Sequence, residues 1–431
     1  MANFVDNTSK VVSGEMSTLD FIAGTAESKL ARCLEKDPDG RWIYDIQIAS
    51  WCKIRDAHSI GKKVVAFGGP VPVDLIYAFG CQPYYLDQLP LALAPTTDAA
   101  AKFIDLCENS TNQSMCALDK IELGVLLADQ YGITPDAFVY STVPCDSSRI
   151  AYPNMEKIWN VPCFKFDTPF RRDERGIQYL VNQTLEFIDF MEKFTGTKLD
   201  WDKAKESFKV ANRTNELLVQ CADLRKHTPC PLPGALCISN ACMSGQAADP
   251  ELVTFLEKEL ETGQMIIDMG MAACQNGEKY RMLFHQNMLW TNAKTYSYLE
   301  QEYGAICIMD VLGHFWGNFY EHLDDKADCL RVLARKMIDF PMIHGAAGPV
   351  DYYLDRIKYL MDNFNINVSF FMGHVGCKHT WASQKILADY IYENYGIPTL
   401  ALDVDCIDGR YKSPEEIRSS IVEYLETVVK L

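Results

Sequence analysis

Two blocks of the chain alternate short β-branched and aromatic runs with amphipathic stretches of helix length, and this pattern restricts the fold most. In the first block KKVVAFGG (62–69), DAFVYSTV (136–143) and VPCFKFD (161–167) read as strands. Between them, VDLIYAFG reads as a short helix packed through Leu75, Ile76 and Phe79. Residues 114–131 form a longer one, with Leu118, Ile121, Val125 and Ala128 at helical spacing. In the second block RMLFHQNML, AICIMDVLG (305–313), NVSFFMG and IPTLALDVD are the strand candidates, separated by helical TYSYLEQEYG, GPVDYYLDRIKYLMDNF and ASQKILADYIYENYG. Strands alternating with helices predict parallel sheets with crossover helices. The expected fold class is α/β, with two doubly wound parallel-sheet (Rossmann-like) units.

The rest of the chain surrounds these blocks. Residues 1–60 read as a helical leader, with a helix near Ile46–His58. Residues 61–168 form the first α/β domain and 169–278 a helical segment. There GIQYLVNQTLEFIDFMEKF and DWDKAKESFKVANRTNELLVQCADL make an αα-hairpin, HTPCPLPGALC is loop, and DPELVTFLEKELETG is helical. Residues 279–431 form the second α/β domain. Its last helix opens with SPEE, placing Ser413 at the N-cap, Pro414 at N1 and Glu416 at N3, a capping box.

Composition narrows the function classes. The formal charge of −17 argues against a nucleic-acid surface, so any phosphate site must be a local basic pocket. The polar N-terminus lacks a signal-peptide layout, and no apolar run reaches about 18 residues, so neither secretion nor a membrane span is expected and the location is cytoplasmic. In such a chain the 16 cysteines are expected as reduced thiols, some of them metal ligands and most of them core residues. GxxxxGK[ST], GxGxxG after a strand and HExxH are all absent, which excludes a P-loop, a Rossmann dinucleotide fingerprint and a zincin site.

Position selects the cysteines. Cys116 opens the 114–131 helix, where the helix dipole favours a thiolate. Cys145, in VPCDS, and Cys377, in GHVGCKH, each follow a strand and sit among Pro, Gly and polar residues. Ligands of open α/β sheets bind beyond the carboxyl ends of strands. Between Cys116 and Cys145 28 residues intervene, and between Cys145 and Cys377 231, which matches no zinc-finger or ferredoxin spacing. Buried structural cysteine is the competing reading. His374 and His379 flank Cys377 at a spacing poor for joint metal ligation, but His379 is a candidate proton donor.

These motifs carry a resemblance. VPVDLIYAFGCQPYYL after the first strand, SMC at the next helix, VPCDS, FMGHVGC and GIPTLALDVD stand in the order found in the 2-hydroxyacyl-CoA dehydratase family. That family also includes benzoyl-CoA reductase subunits and double-cubane-cluster proteins. The resemblance spans roughly residues 61–410 and is closest to the larger subunit. It implies that Cys116, Cys145 and Cys377 hold a 4Fe-4S cluster with one iron open to an acyl-CoA thioester. It further implies a homologous second subunit and a separate ATP-dependent iron–sulfur activator that injects one electron. By the same resemblance a ketyl radical then expels hydroxide from C2, and deprotonation at C3 gives an enoyl-CoA after the electron returns. The activity expected is dehydration of an (R)-2-hydroxyacyl-CoA. Alternatives are a reductase of the same family with an 8Fe-9S double cubane, a cluster subunit that only transfers electrons or supports an assembly, and a metal-free binding module.

Other residues carry weaker signals. Cys81, Cys107, Cys163 and Cys406 are the extra thiols that a double cubane would require, against simple burial. Arg171, Arg172 and Arg175 form the densest basic run near a strand exit and suit coenzyme phosphates, against a solvated run paired with Asp173 and Glu174. Asp403, Asp405 and Asp408 either face the crevice or cap a turn. HFWGNFYEH either walls an acyl pocket or fills a core.

Overall fold

The computed structural model describes residues 2–285, 289–292, 294–310, 313 and 317–429. Two four-stranded sheets organise it. The first contains β1 (Val64–Gly68), β2 (Gln82–Tyr85), β3 (Ala137–Ser141) and β4 (Cys163–Phe166), in the order β2-β1-β3-β4. The second contains β5 (Tyr280–Phe284), β6 (Ala305–Asp310), β7 (Val368–His374) and β8 (Thr399–Val404), in the order β6-β5-β7-β8. Every pairing is parallel. The α/β, doubly wound reading therefore holds. In each sheet the chain runs outward from its first strand, then returns to that strand's other side. The crevice at such a switch point lies between the first and third strands.

Burial explains the strand sequences. β1, β3, β6 and β7 are buried along their whole length and read as near-continuous apolar runs, as parallel strands covered on both faces do. β2 was not expected. It has four residues, QPYY, including Pro83, which lacks a backbone donor. β2 lies at the sheet edge, where proline is tolerated.

The chain forms two compact units, each built from three segments. The first comprises 1–215, 243–258 and 318–338; the second comprises 216–242, 259–317 and 339–431. The leader helices Ala2–Ser13, Thr18–Lys36 and Trp42–Asp56 belong to the first. So does the helix Lys326–Ile338, whose Leu330, Leu333 and Met337 share a core with Phe187 and Met191 of the helix Glu174–Thr195. A buried polar tie secures this returning segment. The Asp74 carboxylate accepts from the Tyr320 hydroxyl at 2.5 Å and from the Lys336 ammonium at 2.5 Å. Phe208 stacks on the Tyr320 ring at 4.3 Å.

Other expectations were met or adjusted locally. The 114–131 helix runs from Ala117 to Leu127 and packs closely on the helix Thr97–Glu108, because Gly124 lets it approach the Phe103 carbonyl. HTPCPLPGALC is loop only in part: the helix Gly234–Cys242 starts directly after Pro233. TYSYLEQEYG is α-helical over Lys294–Tyr298 and finishes as a π turn, Leu299–Tyr303. The Ser413–Glu416 capping box forms as expected. Among the described residues no helix is long and apolar enough to cross a membrane.

Candidate functional site

In the first unit the chain leaves β3, passes the cis Val143–Pro144 bond and reaches Cys145, which is half-buried. The Cys145 thiol points to the Ser148 hydroxyl at 3.5 Å, and that hydroxyl donates to the Cys145 carbonyl at 3.0 Å. Ser148 opens the helix Ser148–Trp159, so the thiol sits in the turn between strand and helix. Cys116, also half-buried, is the N-cap of the helix Ala117–Leu127, with extended backbone and no capping bond from its sulfur. Its backbone N–H donates to Ser147 Oγ at 2.9 Å. This hydrogen bond joins the two cysteine-bearing loops.

Behind these loops lies a buried acid cluster. Asp119, on the first turn after Cys116, is hydrogen-bonded to Ser147, and burial pushes its carboxyl up to about 7. Asp87 accepts from the Tyr85 hydroxyl at 2.7 Å and the Tyr152 hydroxyl at 3.0 Å. Burial raises Asp87 despite these bonds. It drives Glu122 well above the carboxylate range, helped by the charges of Asp87 and Asp119. An acid removed from water stays neutral more readily than it ionises.

In the second unit, β7 delivers His374 and then Cys377. The Cys377 N–H donates to the His374 carbonyl at 2.9 Å, and Cys377 is the N-cap of the helix Lys378–Tyr395, again without a capping bond from sulfur. Gly373 in β7 leaves room for Trp381 of that helix, since a Cβ there would come within 2.0 Å of the indole. Cys145 and Cys377 hold corresponding places, each just past the third strand of its sheet. His374 is buried, accepts from the Cys406 N–H at 3.3 Å and lies 3.5 Å from Asp405. His379 is exposed on the first turn of the Lys378–Tyr395 helix.

The donor set suits an iron–sulfur group. All three thiols are half-buried in loops, and Cys116 and Cys377 stand at helix N-termini, which favour negative charge. Within each unit taken alone, no three His, Cys, Asp or Glu side chains among the described residues are grouped to hold a metal ion. Two of the proposed ligands belong to the first unit and the third to the second.

The remaining candidates are buried, ion-paired or exposed. Cys81, Cys107 and Cys406 are buried and Cys163 is half-buried. Burial pushes Cys81 up to about 11 and Cys163 up to about 12, and raises Cys107 and Cys406. Arg171 is exposed and paired with Asp173 at 2.9 Å; Arg172 is half-buried and Arg175 exposed. Asp173 caps the helix Glu174–Thr195, and Glu174 pairs with Arg331. Asp405 accepts the N–H groups of Ile407 and Asp408, Asp408 pairs with Arg410, and Asp403 accepts from the Tyr411 hydroxyl, so all three carboxylates serve the turn after β8. In HFWGNFYEH, His314, Phe315 and Trp316 lie outside the described residues; Tyr320 is a core residue. Sequence reasoning missed Ser147 and the acid cluster. The available signal was Asp119, three residues after Cys116, where a capping box carries its acid.

Comparison with known proteins identifies the class as dehydratase components. Residues 70–428 match the family model for 2-hydroxyglutaryl-CoA dehydratase, D-component. The chain belongs to that family, and the names of the family and of its dehydratase relatives indicate a 2-hydroxyacyl-CoA dehydratase subunit, a hydro-lyase. It is 22% identical to the (R)-phenyllactyl-CoA dehydratase alpha subunit of Clostridium sporogenes over 63% of this chain and 69% of that one. It is 22% identical to the lactoyl-CoA dehydratase alpha subunit of Anaerotignum propionicum over 68% of this chain and 69% of that one. A benzoyl-CoA reductase subunit of Thauera aromatica is 21% identical over 68% of this chain and 70% of that one.

Proposed function

We propose that this chain is the iron–sulfur subunit of a cytoplasmic (R)-2-hydroxyacyl-CoA dehydratase, which eliminates water to give a 2-enoyl-CoA. The observation that carries the reading is the family match over residues 70–428, with Cys145 and Cys377 at corresponding positions past the third strand of each sheet. Cys116, Cys145 and Cys377 are the proposed ligands of a 4Fe-4S cluster. When bound, such a group supplies one-electron chemistry and, with three protein ligands, a vacant iron position that polarises a thioester carbonyl. The chain's own part is to hold the thiolates and shape the pocket. His379, exposed beside Cys377, is the proposed proton donor, and the 171–175 basic run the proposed contact for coenzyme phosphates. A homologous second subunit and an ATP-dependent iron–sulfur activator complete the system; the alpha-subunit names of two relatives support the former.

The similarity to a benzoyl-CoA reductase component supports the reductase part of a second reading, a reductase of the same family with a double cubane; the double cubane in it is our proposal. Anaerobic purification with iron and sulfide analysis separates the two: about four irons per chain fits the dehydratase and about eight the double cubane. Cys116→Ser, Cys145→Ser and Cys377→Ser should each lower iron content and abolish turnover of hydroxyacyl-CoAs with activator, ATP, reductant and second subunit. A colourless protein whose iron content ignores all three substitutions overturns the assignment.

A further inference from the structure

The helix that carries Cys116 begins without the oxygen that usually caps one. An N-cap is commonly Ser, Thr, Asp or Asn; its side chain takes the N–H of the third helical residue, and an acid there takes the N-cap N–H in return. The C-terminal helix does this directly. Ser413 Oγ accepts the Glu416 N–H at 3.2 Å, and Glu416 accepts the Ser413 N–H at 2.9 Å. At Cys116 the sulfur makes no capping bond, yet the acid of the box is present as Asp119. Between them stands a residue of another loop. Ser147 Oγ receives the Cys116 N–H at 2.9 Å and is hydrogen-bonded to Asp119. A serine hydroxyl has a single proton, so donation to Asp119 leaves its lone pairs for the Cys116 N–H. Ser147 and Asp119 are each 3% exposed, so water does not compete for these bonds.

We infer that Ser147, oriented by Asp119, is a positioning residue that sets the spacing between the Cys116 and Cys145 thiols before any cluster binds. It closes the capping box of one cysteine's helix from a place two residues along from the other cysteine. The tie fixes a relative placement that 28 intervening residues would otherwise leave to the wider fold. Its role in cluster assembly rests on the function proposed above; the pre-set spacing does not.

Both parts are tested on the full chain. In metal-free protein, a short bis-alkylating thiol reagent should join Cys116 to Cys145, read as the cross-linked peptide by mass spectrometry. Ser147→Ala should slow that joining about fivefold to tenfold, the effect of one lost buried hydrogen bond. In reconstituted protein the same variant should lose its visible absorbance to an iron chelator faster by a similar factor. Asp119→Asn, which retains an acceptor for the serine, should behave like wild type in both measurements, and Asp119→Ala like Ser147→Ala. Should Ser147→Ala not fold, the two Asp119 variants carry the comparison. Equal joining rates in wild type, Ser147→Ala and Asp119→Ala, or no joining in wild type, overturn the inference. Serine-dependent joining in a chain that takes up no iron upholds the spacing and overturns the cluster assignment instead.

Discussion

His285 shows how far one enclosed side chain reaches. It follows β5, with Nε2 2.7 Å from Ser369 Oγ, which lies 2.8 Å from Thr399 Oγ1, so a polar line crosses β5, β7 and β8. Burial lowers its pKa to about 3. The folded chain therefore holds fewer protons than the unfolded chain, whose histidine protonates near 6.5. The stability this group confers is complete above about pH 6.5 and is lost as pH falls toward 3. At pH 5 the loss from this residue is about 2 kcal/mol. Urea titrations at pH 8 and pH 5 should show His285→Gln losing about 2 kcal/mol less, or gaining about 2 kcal/mol more, than wild type between the two, since the buried acids contribute alike to both. Side-chain chemistry of this kind was only partly legible in the sequence. Cys116, Cys145 and Cys377 stood out because Pro, Gly and polar neighbours mark loops. Ser147 and Glu122 did not, because their burial is created by residues distant in the chain.

At the level of elements, the helix Ala117–Leu127 carries Cys116 and is seated by Gly124. A Cβ at that position would come within 2.0 Å of the Phe103 carbonyl oxygen, a backbone atom that cannot rotate aside. Gly124→Val should destabilise the chain by about 3 kcal/mol in denaturant unfolding. On the cluster assignment proposed above it should also lower iron retention, because the helix start moves with the helix. Elements with a strong period were readable: the amphipathic repeat of Glu174–Thr195, the buried run of β7 and the SPEE start of Pro414–Thr427 all appear as expected. Those without one were not. β2 is four residues with an internal proline and gains its strand geometry from pairing with β1, while Gly234–Cys242 hides behind three prolines. In both cases tertiary context, not local preference, decides the conformation.

The whole molecule is threaded rather than strung. Each compact unit takes three separate stretches of chain, and the first is finished by 243–258 and 318–338. Residues 1–215 expressed alone would lack Leu330, Leu333 and Met337 from the core and would leave the Asp74 carboxylate buried without Tyr320 or Lys336. Leaving a buried charge without its partner costs roughly 3–5 kcal/mol. That fragment should show no cooperative thermal transition and should be digested faster than the full chain. The same threading sets a timetable for biosynthesis. Domains commonly mature as they emerge during translation, but here the first unit must wait for residue 338. Cys116 and Cys145 therefore leave the ribosome long before their surroundings are complete, and on the cluster assignment proposed above their loading with inorganic iron and sulfide would be a late event, after most of the polypeptide has been made.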